Sequence, residues 1–266
     1  MPYSEKLALE ERLLDFKEGK LTLAEAALIA SGMRDEKELS LYLGKFEKLS
    51  SKLDSYLIRR GIELADGYAK AEAIHNFLWY IKPAKYNKRI YKFSDAVDNA
   101  LDRCERRIGS CIALTLLYNA LAERQGLKTA LLVSQEHMMA IVKLEKQEVV
   151  VEHGSVYGFD LSSKQLAQKI ENSWEADNSW ALACLCVKEI EKLSKPLSKL
   201  VPRCTAHPEK YTANRRKLRQ HYDNAYKALK LCGIIRELNP ELYGFYKLAT
   251  RHTSLDSTIK VLKNFI

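Results

Sequence analysis

Glycine and proline are scarce in this chain, with 11 and 6 among 266 residues. All-β sandwiches and barrels draw heavily on both for their tight turns, so the shortage points away from those architectures. Long apolar runs are missing too. No stretch approaches the roughly 18–20 consecutive apolar residues of a helical membrane span. The opening MPYSEKLALEERLLDFKEGK is charged throughout and lacks the apolar run of a secretory signal. A soluble, cytoplasmic protein is the expectation. Its six cysteines, at 104, 111, 184, 186, 204 and 232, are then expected mostly as thiols. What is present is a globular balance of 47% hydrophobic and 29% charged residues, enough for a sizeable core. The length suits one large domain or two small ones.

Lys and Arg number 43 against 34 Asp and Glu, a net charge of +9. Such an excess permits loose association with nucleic acid without specifying a site. The densest basic stretch is Asn214-Arg215-Arg216-Lys217-Leu218-Arg219. Its ordinary reading is a solvated helix face, with nucleic-acid contact the minor alternative.

Apolar periodicity divides the chain into helices, one small sheet, and helices again. Leu7 to Phe16 carries one broad apolar face. Thr22 and Glu25 suit a capping box for a helix over Ala24–Ala30 that stops near Gly32. Leu39, Leu43, Phe46, Leu49, Leu53 and Leu57 follow at spacings of three and four, marking a long amphipathic helix. A further helix over about 63–81 ends at Pro83. Ser94 is a candidate N-cap for the next one. Ile112 to Ala122 is apolar all round, which predicts a buried helix that opens after Gly109-Ser110 and stops at Gln125-Gly126. Thr129–Val133 and Met138–Leu144 then read as strands. A turn at 145–147 and a strand over Glu148–Glu152 complete a hairpin. From Ser162 onward the pattern is helical, with breaks at Pro196, at Pro202 to Pro208 and at Asn239-Pro240. The class is α+β, helix-dominated. Three regions are expected: 1–82 helical, 83–161 carrying the small antiparallel sheet on the buried cysteine-bearing helix, and 162–266 helical. Ala225–Leu229, Leu238-Asn239-Pro240 and the helices behind them match either a tetratricopeptide-like hairpin or an ordinary helical extension.

Cys111 carries the chemistry. At a helix start, free N–H groups and the helix dipole favour a thiolate. Gly109 lets the chain turn and gives a substrate backbone room to approach. The amides of Ser110 and Cys111 are candidate oxyanion donors. A thiolate nucleophile needs an imidazole, and the imidazole needs an orienting group. His137 opens one strand and Glu152 closes its hairpin partner. A turn near 145–147 sets the two roughly opposite each other, on one face. Against this stand plainer readings: Cys111 as a small core residue, His137 as a satisfied histidine, Glu152 as a solvated strand end, and His153 as a competing imidazole.

The run Arg107-Ile108-Gly109-Ser110-Cys111, the leucine-rich helix ending Leu121-Ala122-Glu123-Arg124-Gln125-Gly126-Leu127, and the following His and acidic strands resemble the core of transglutaminase-like proteins. Ala24–Ala30, Tyr42-Leu43-Gly44-Lys45-Phe46 and Ala73–Leu78 are similar to the N-terminal helical region of the SirB branch, which also has C-terminal tetratricopeptide-like helices. The resemblance implies a papain-like core, with Cys111 as nucleophile, His137 as base and Glu152 as orienting acid. Two positions depart from the family pattern: Glu152 stands where Asp is usual, and Glu136 where Gly commonly precedes the histidine. The implied activity is acyl transfer through a Cys-His-Glu triad, most simply amide hydrolysis on a protein or peptide, with no cofactor and no metal. A non-catalytic scaffold using the core and the C-terminal helices is the alternative.

Weaker candidates remain. Cys184 and Cys186, two apart on an apolar helix, point to different faces. A zinc set with Cys204 and His207 would not have the spacing of common zinc modules. Cys104 reads as core, and His221 and His252 as surface. Trp79, Trp174 and Trp180 are packing residues or cleft walls.

Overall fold

The computed structural model describes residues 9–62, 66–82, 86–102, 107–134, 137–162, 165, 172–206 and 215–243. A 3₁₀ turn at Arg12–Phe16 precedes α1 (Leu23–Ala30), α2 (Glu36–Arg60), α3 (Gly67–Ile81), α4 (Phe93–Leu101) and α5 (Cys111–Arg124). Strands β1 (Lys128–Val133), β2 (Met138–Lys143), β3 (Glu148–Val151) and β4 (Trp174–Ala176) follow, and α6 (Asn178–Ala206) and α7 (Arg215–Leu238) come last. Among the described residues, helices dominate a four-stranded antiparallel sheet, an α+β architecture.

Local chemistry accounts for most helix ends. Thr22 caps α1, its hydroxyl accepting from the Glu25 amide, while the Glu25 carboxylate turns to Arg12 instead of closing the box. Gly32 and Gly61 end α1 and α2 in the left-handed region, where glycine carries no Cβ penalty. One cap differs from expectation. Phe93, ahead of Ser94, begins α4, and its amide is satisfied by the hydroxyl of Ser31 at 2.8 Å, while Ser94 is buried inside the first turn. A distant side chain has taken the role the sequence offered to a neighbour.

Seven of the eight residues of α1 are buried. The helix packs against α2, α5 and α6 and forms the centre of one core running from Leu9 to Leu238. α5 is buried from Ala113 to Ala122 and lies on β1 and β2. The sheet order is β3-β2-β1-β4. Leu131, Val133, Met138, Ala140, Val142, Val149 and Val151 face the main core. Met139, Leu132 and Val150 turn to the other face and cover Leu161, the alternation a pleated strand imposes.

Two expectations fail in the C-terminal third. Strand β4 lies where helix alone was expected, paired antiparallel with β1 from Leu131–Ala176 to Val133–Trp174. A line drawn between 161 and 162 therefore cuts through the sheet. α6 also runs unbroken through Pro196 and Pro202. Each proline costs one helical hydrogen bond, but the helix lies along α7 in the largest helix–helix contact of the fold, and that packing overrides the local break. The break at Asn239-Pro240 is present after α7. Residues 244–266, with most of the tetratricopeptide-like stretch, lie outside the described residues. No described helix is long and apolar enough to cross a membrane.

Candidate active site

Cys111 is the first residue of α5 and is half-buried. Ser110 is its N-cap, the hydroxyl accepting from the Ala113 amide at 3.5 Å. The chain leading into this cap is stitched to the segment 86–90. The Asn87 amide donates to the Gly109 carbonyl at 2.8 Å, Tyr86 and Gly109 form a parallel bridge, and the Ser110 amide donates to the Ile90 carbonyl at 2.6 Å. Asn99, on α4, holds the Ile108 carbonyl at 3.2 Å.

These bonds correct two expectations. The Ser110 amide is engaged by Ile90, so it does not serve as an oxyanion donor. The amide of Cys111, in the first turn, has no acceptor within its own helix. Gly109 does not leave room for a substrate. A Cβ there would lie 2.9 Å from Ala113 Cβ and 3.4 Å from the Ile90 carbonyl oxygen. Glycine is required because the chain presses against its own helix.

His137 sits at the head of β2, and its backbone is clamped by Ser134. The Ser134 amide donates to the His137 carbonyl at 2.9 Å, and the His137 amide donates to the Ser134 hydroxyl at 3.2 Å. Glu152 follows β3 directly. The hairpin register pairs Ala140 with Val151 and Lys143 with Glu148. Extended by that register, His137 and Glu152 are not directly opposite but one diagonal step apart on one face, still within reach of long side chains. The His137 Nε2–H donates to Glu152 Oε2, and the other carboxylate oxygen accepts from the Gly154 amide at 2.6 Å. Glu152 is buried, with its side chain 8% exposed.

The second hydrogen-bond partner of the His137 ring is the Cys111 side chain. With Nε2 occupied by Glu152, the nitrogen left for sulfur is Nδ1. The hydrogen bond to Cys111, then that to Glu152, raise the imidazole pKa to about 10 against the opposing effect of burial. The charged form of the His137 ring is thus favoured by its two neighbours, the Glu152 carboxylate that accepts from it and the Cys111 side chain. The three side chains singled out in the sequence thus converge: an acid that fixes the ring, a ring that carries a proton, and a sulfur at a helix start. Chemically this arrangement can supply a nucleophile and a proton for its leaving group.

The residues around the triad were less visible in the sequence. Glu152 is followed by a tight loop whose Gly158 carbonyl accepts from the Glu152 amide at 2.7 Å. A Cβ on Gly158 would overlap the carbonyl oxygen of Glu152 and fall 2.9 Å from its carbonyl carbon and Cβ, and one on Gly154 would fall 2.9 Å from Glu152 Oε1. Two glycines four apart behind an acid were the available signal. His153 does not compete for the triad. It is buried, with its ring 4.5 Å from that of Tyr118 and 6.0 Å from that of His75. Trp174 and Trp180 pack edge to face at 5.4 Å, and Trp79 lies 6.3 Å from His75, so all three are packing residues.

Cys184 and Cys186 both lie on α6, with Cys186 buried and the Cys184 thiol pushed up to about 12, chiefly by burial. His207 lies outside the described residues, as do Cys104 and His252. Among the described residues no group of three or more His, Cys, Asp and Glu is placed to hold a metal. Of the basic stretch 214–219, residue 214 lies outside the described residues and Arg219 is exposed on α7. His221 is half-buried. Comparison with protein-family models, curated proteins and solved structures finds no match to this chain.

Proposed function

We propose that this chain is a transglutaminase-like cysteine acyl-transfer enzyme of the SirB type, built on a papain-like core and acting as an amide hydrolase on a protein or peptide in the cytoplasm. The observation that carries the proposal is the His137 ring held between the Cys111 sulfur and the Glu152 carboxylate at the mouth of a buried helix. In this reading the Cys111 sulfur attacks the carbonyl carbon. The C=O electron pair moves to oxygen, and collapse of the adduct breaks the C–N bond as His137 Nδ1–H protonates the departing amine. Water then attacks the thioester, with His137 as base, and restores the thiol. Glu152 keeps Nε2 protonated throughout, so that Nδ1 faces the sulfur.

Site-resolved alkylation tests this. Iodoacetamide at pH 7 should label Cys111 at least tenfold faster than Cys184, Cys186 or Cys232, as read by peptide mass spectrometry. His137→Ala should remove most of that advantage. A Cys111 that labels no faster than the cysteines buried in α6 and α7 sinks the enzymatic reading. The core and C-terminal helices would then be read as a non-catalytic protein-binding scaffold.

A further inference from the structure

We propose that His75 is a positioning residue of the Cys111 site, holding in place the loop that presents Glu152 to His137. The inference deepens the acyl-transfer reading and rests on it. Glu152 stands just past the end of the β2–β3 ladder, which closes at Ala140–Val151. Its placement therefore falls to the loop behind it. The Gly158 carbonyl of that loop takes the Glu152 amide, and the Gly154 amide takes one carboxylate oxygen. Within the loop, the Gly158 amide donates to the Ser155 carbonyl at 3.1 Å and the Tyr157 amide to the Ser155 hydroxyl at 3.3 Å. These bonds give the loop its shape but do not fasten it to the body of the protein. Nor do the side chains at its tip, since Val156 is 48% and Tyr157 85% exposed.

His75 supplies the fastening. It lies on α3, fully buried, with its Nε2 3.3 Å from the Val156 carbonyl oxygen. A carbonyl only accepts, so Nε2 is the donor. The same ring lies 6.0 Å from that of His153 and 6.1 Å from that of Phe159, one at each foot of the loop. The anchor is itself fixed. Ile74, Phe77 and Leu78 bury α3 in the core, and the Tyr118 hydroxyl donates to the Ala71 carbonyl at 3.0 Å, one turn from His75. Tyr118 belongs to α5, the helix that begins with Cys111. The supports thus form a closed ring. Tyr118 ties α5 to α3, His75 ties α3 to the loop, the loop sets Glu152, and Glu152 orients the imidazole that faces Cys111. His75 touches no reacting atom; it refers the acid to the same helix that carries the sulfur.

The test compares His75→Gln with His75→Asn in the full-length protein. Both keep a buried amide, but only glutamine reaches as far as Nε2. A Val156 carbonyl set free lets the acid drift by a fraction of an ångström, so His75→Asn should slow iodoacetamide labelling of Cys111 at pH 7 about tenfold. His75→Gln should stay within about threefold of wild type. A residue that acts through Glu152 has nothing left to lose once that acid is gone. Glu152→Ala should itself slow labelling about tenfold or more, and His75→Asn should then have no further effect. A role in stability alone would lower the urea midpoint and leave the labelling of folded protein unchanged. If His75→Asn does not fold, His75→Leu, which fills the space without a donor, takes its place. Equal labelling rates in folded His75→Gln and the variant without the tie overturn the proposal, as does an additive loss in the double variant. Loss of folding in His75→Gln, or in both His75→Asn and His75→Leu, also overturns it, since the tie would then serve the fold and not the acid. Wild-type labelling in Glu152→Ala is a separate result: it removes the triad and the acyl-transfer reading, and this assignment with them.

Discussion

Gly158→Ala is a demanding probe, because it touches no triad side chain. The glycine is in contact with the backbone that presents Glu152. Its carbonyl accepts from the Glu152 amide at 2.7 Å, and the added methyl would overlap the Glu152 carbonyl oxygen and sit 2.9 Å from the Glu152 carbonyl carbon and Cβ. Ordinary contact begins at 3.4 Å, so against that carbonyl oxygen the backbone must move by about an ångström or more. The Glu152 side chain has little room to compensate, since one carboxylate oxygen is held by the Gly154 amide and the other by His137. A misplacement near 1 Å costs on the order of 100-fold in a preorganised site. A shift of that size should cost about 100-fold in iodoacetamide reactivity of Cys111 at pH 7. Overpacking should also lower stability by about 1–3 kcal/mol, read as a lower urea midpoint. Cys111 reactivity within twofold of wild type in a Gly158→Ala protein that is still folded would show that Glu152 does not position His137, and the geometric argument would fall.

Two further outcomes follow from the same structure. The His137 pKa is raised from 6.5 to about 10, so its charged partnership contributes stability fully below about pH 6.5 and loses it as pH rises through 10. The stability gap between wild type and His137→Gln, from urea unfolding at pH 6, 8 and 10, should narrow steadily with pH; a gap that does not change with pH would contradict a favoured charged form of His137. Gly44 lies inside α2 with nothing within 4 Å of a built Cβ and no positive φ. Gly44→Ala should therefore raise stability by about 0.5–1 kcal/mol, seen as a higher melting temperature, and leave Cys111 labelling unchanged.

The chemistry-bearing residues could be read from the sequence because each sits at a junction that local pattern marks. Gly109-Ser110 ahead of an apolar run gave the start of α5 and put Cys111 at its first turn. The two β-compatible runs and their polar link gave the hairpin whose ends carry His137 and Glu152. The diagonal offset, by contrast, depends on one hydrogen-bond register among several that the same pattern allows.

Tertiary contact decided the rest, wherever a distant group met a backbone need. Ser31 capping Phe93 displaced the cap expected of Ser94. Ile90 took the Ser110 amide and brought Tyr86 alongside. β4 is three residues long and exists only because β1 offers it an edge, while packing along α7 carried α6 through two prolines. Local propensity sets where an element starts most easily. Which orphan amide finds which carbonyl depends on chain segments far apart in sequence, and no window of neighbouring residues contains that information.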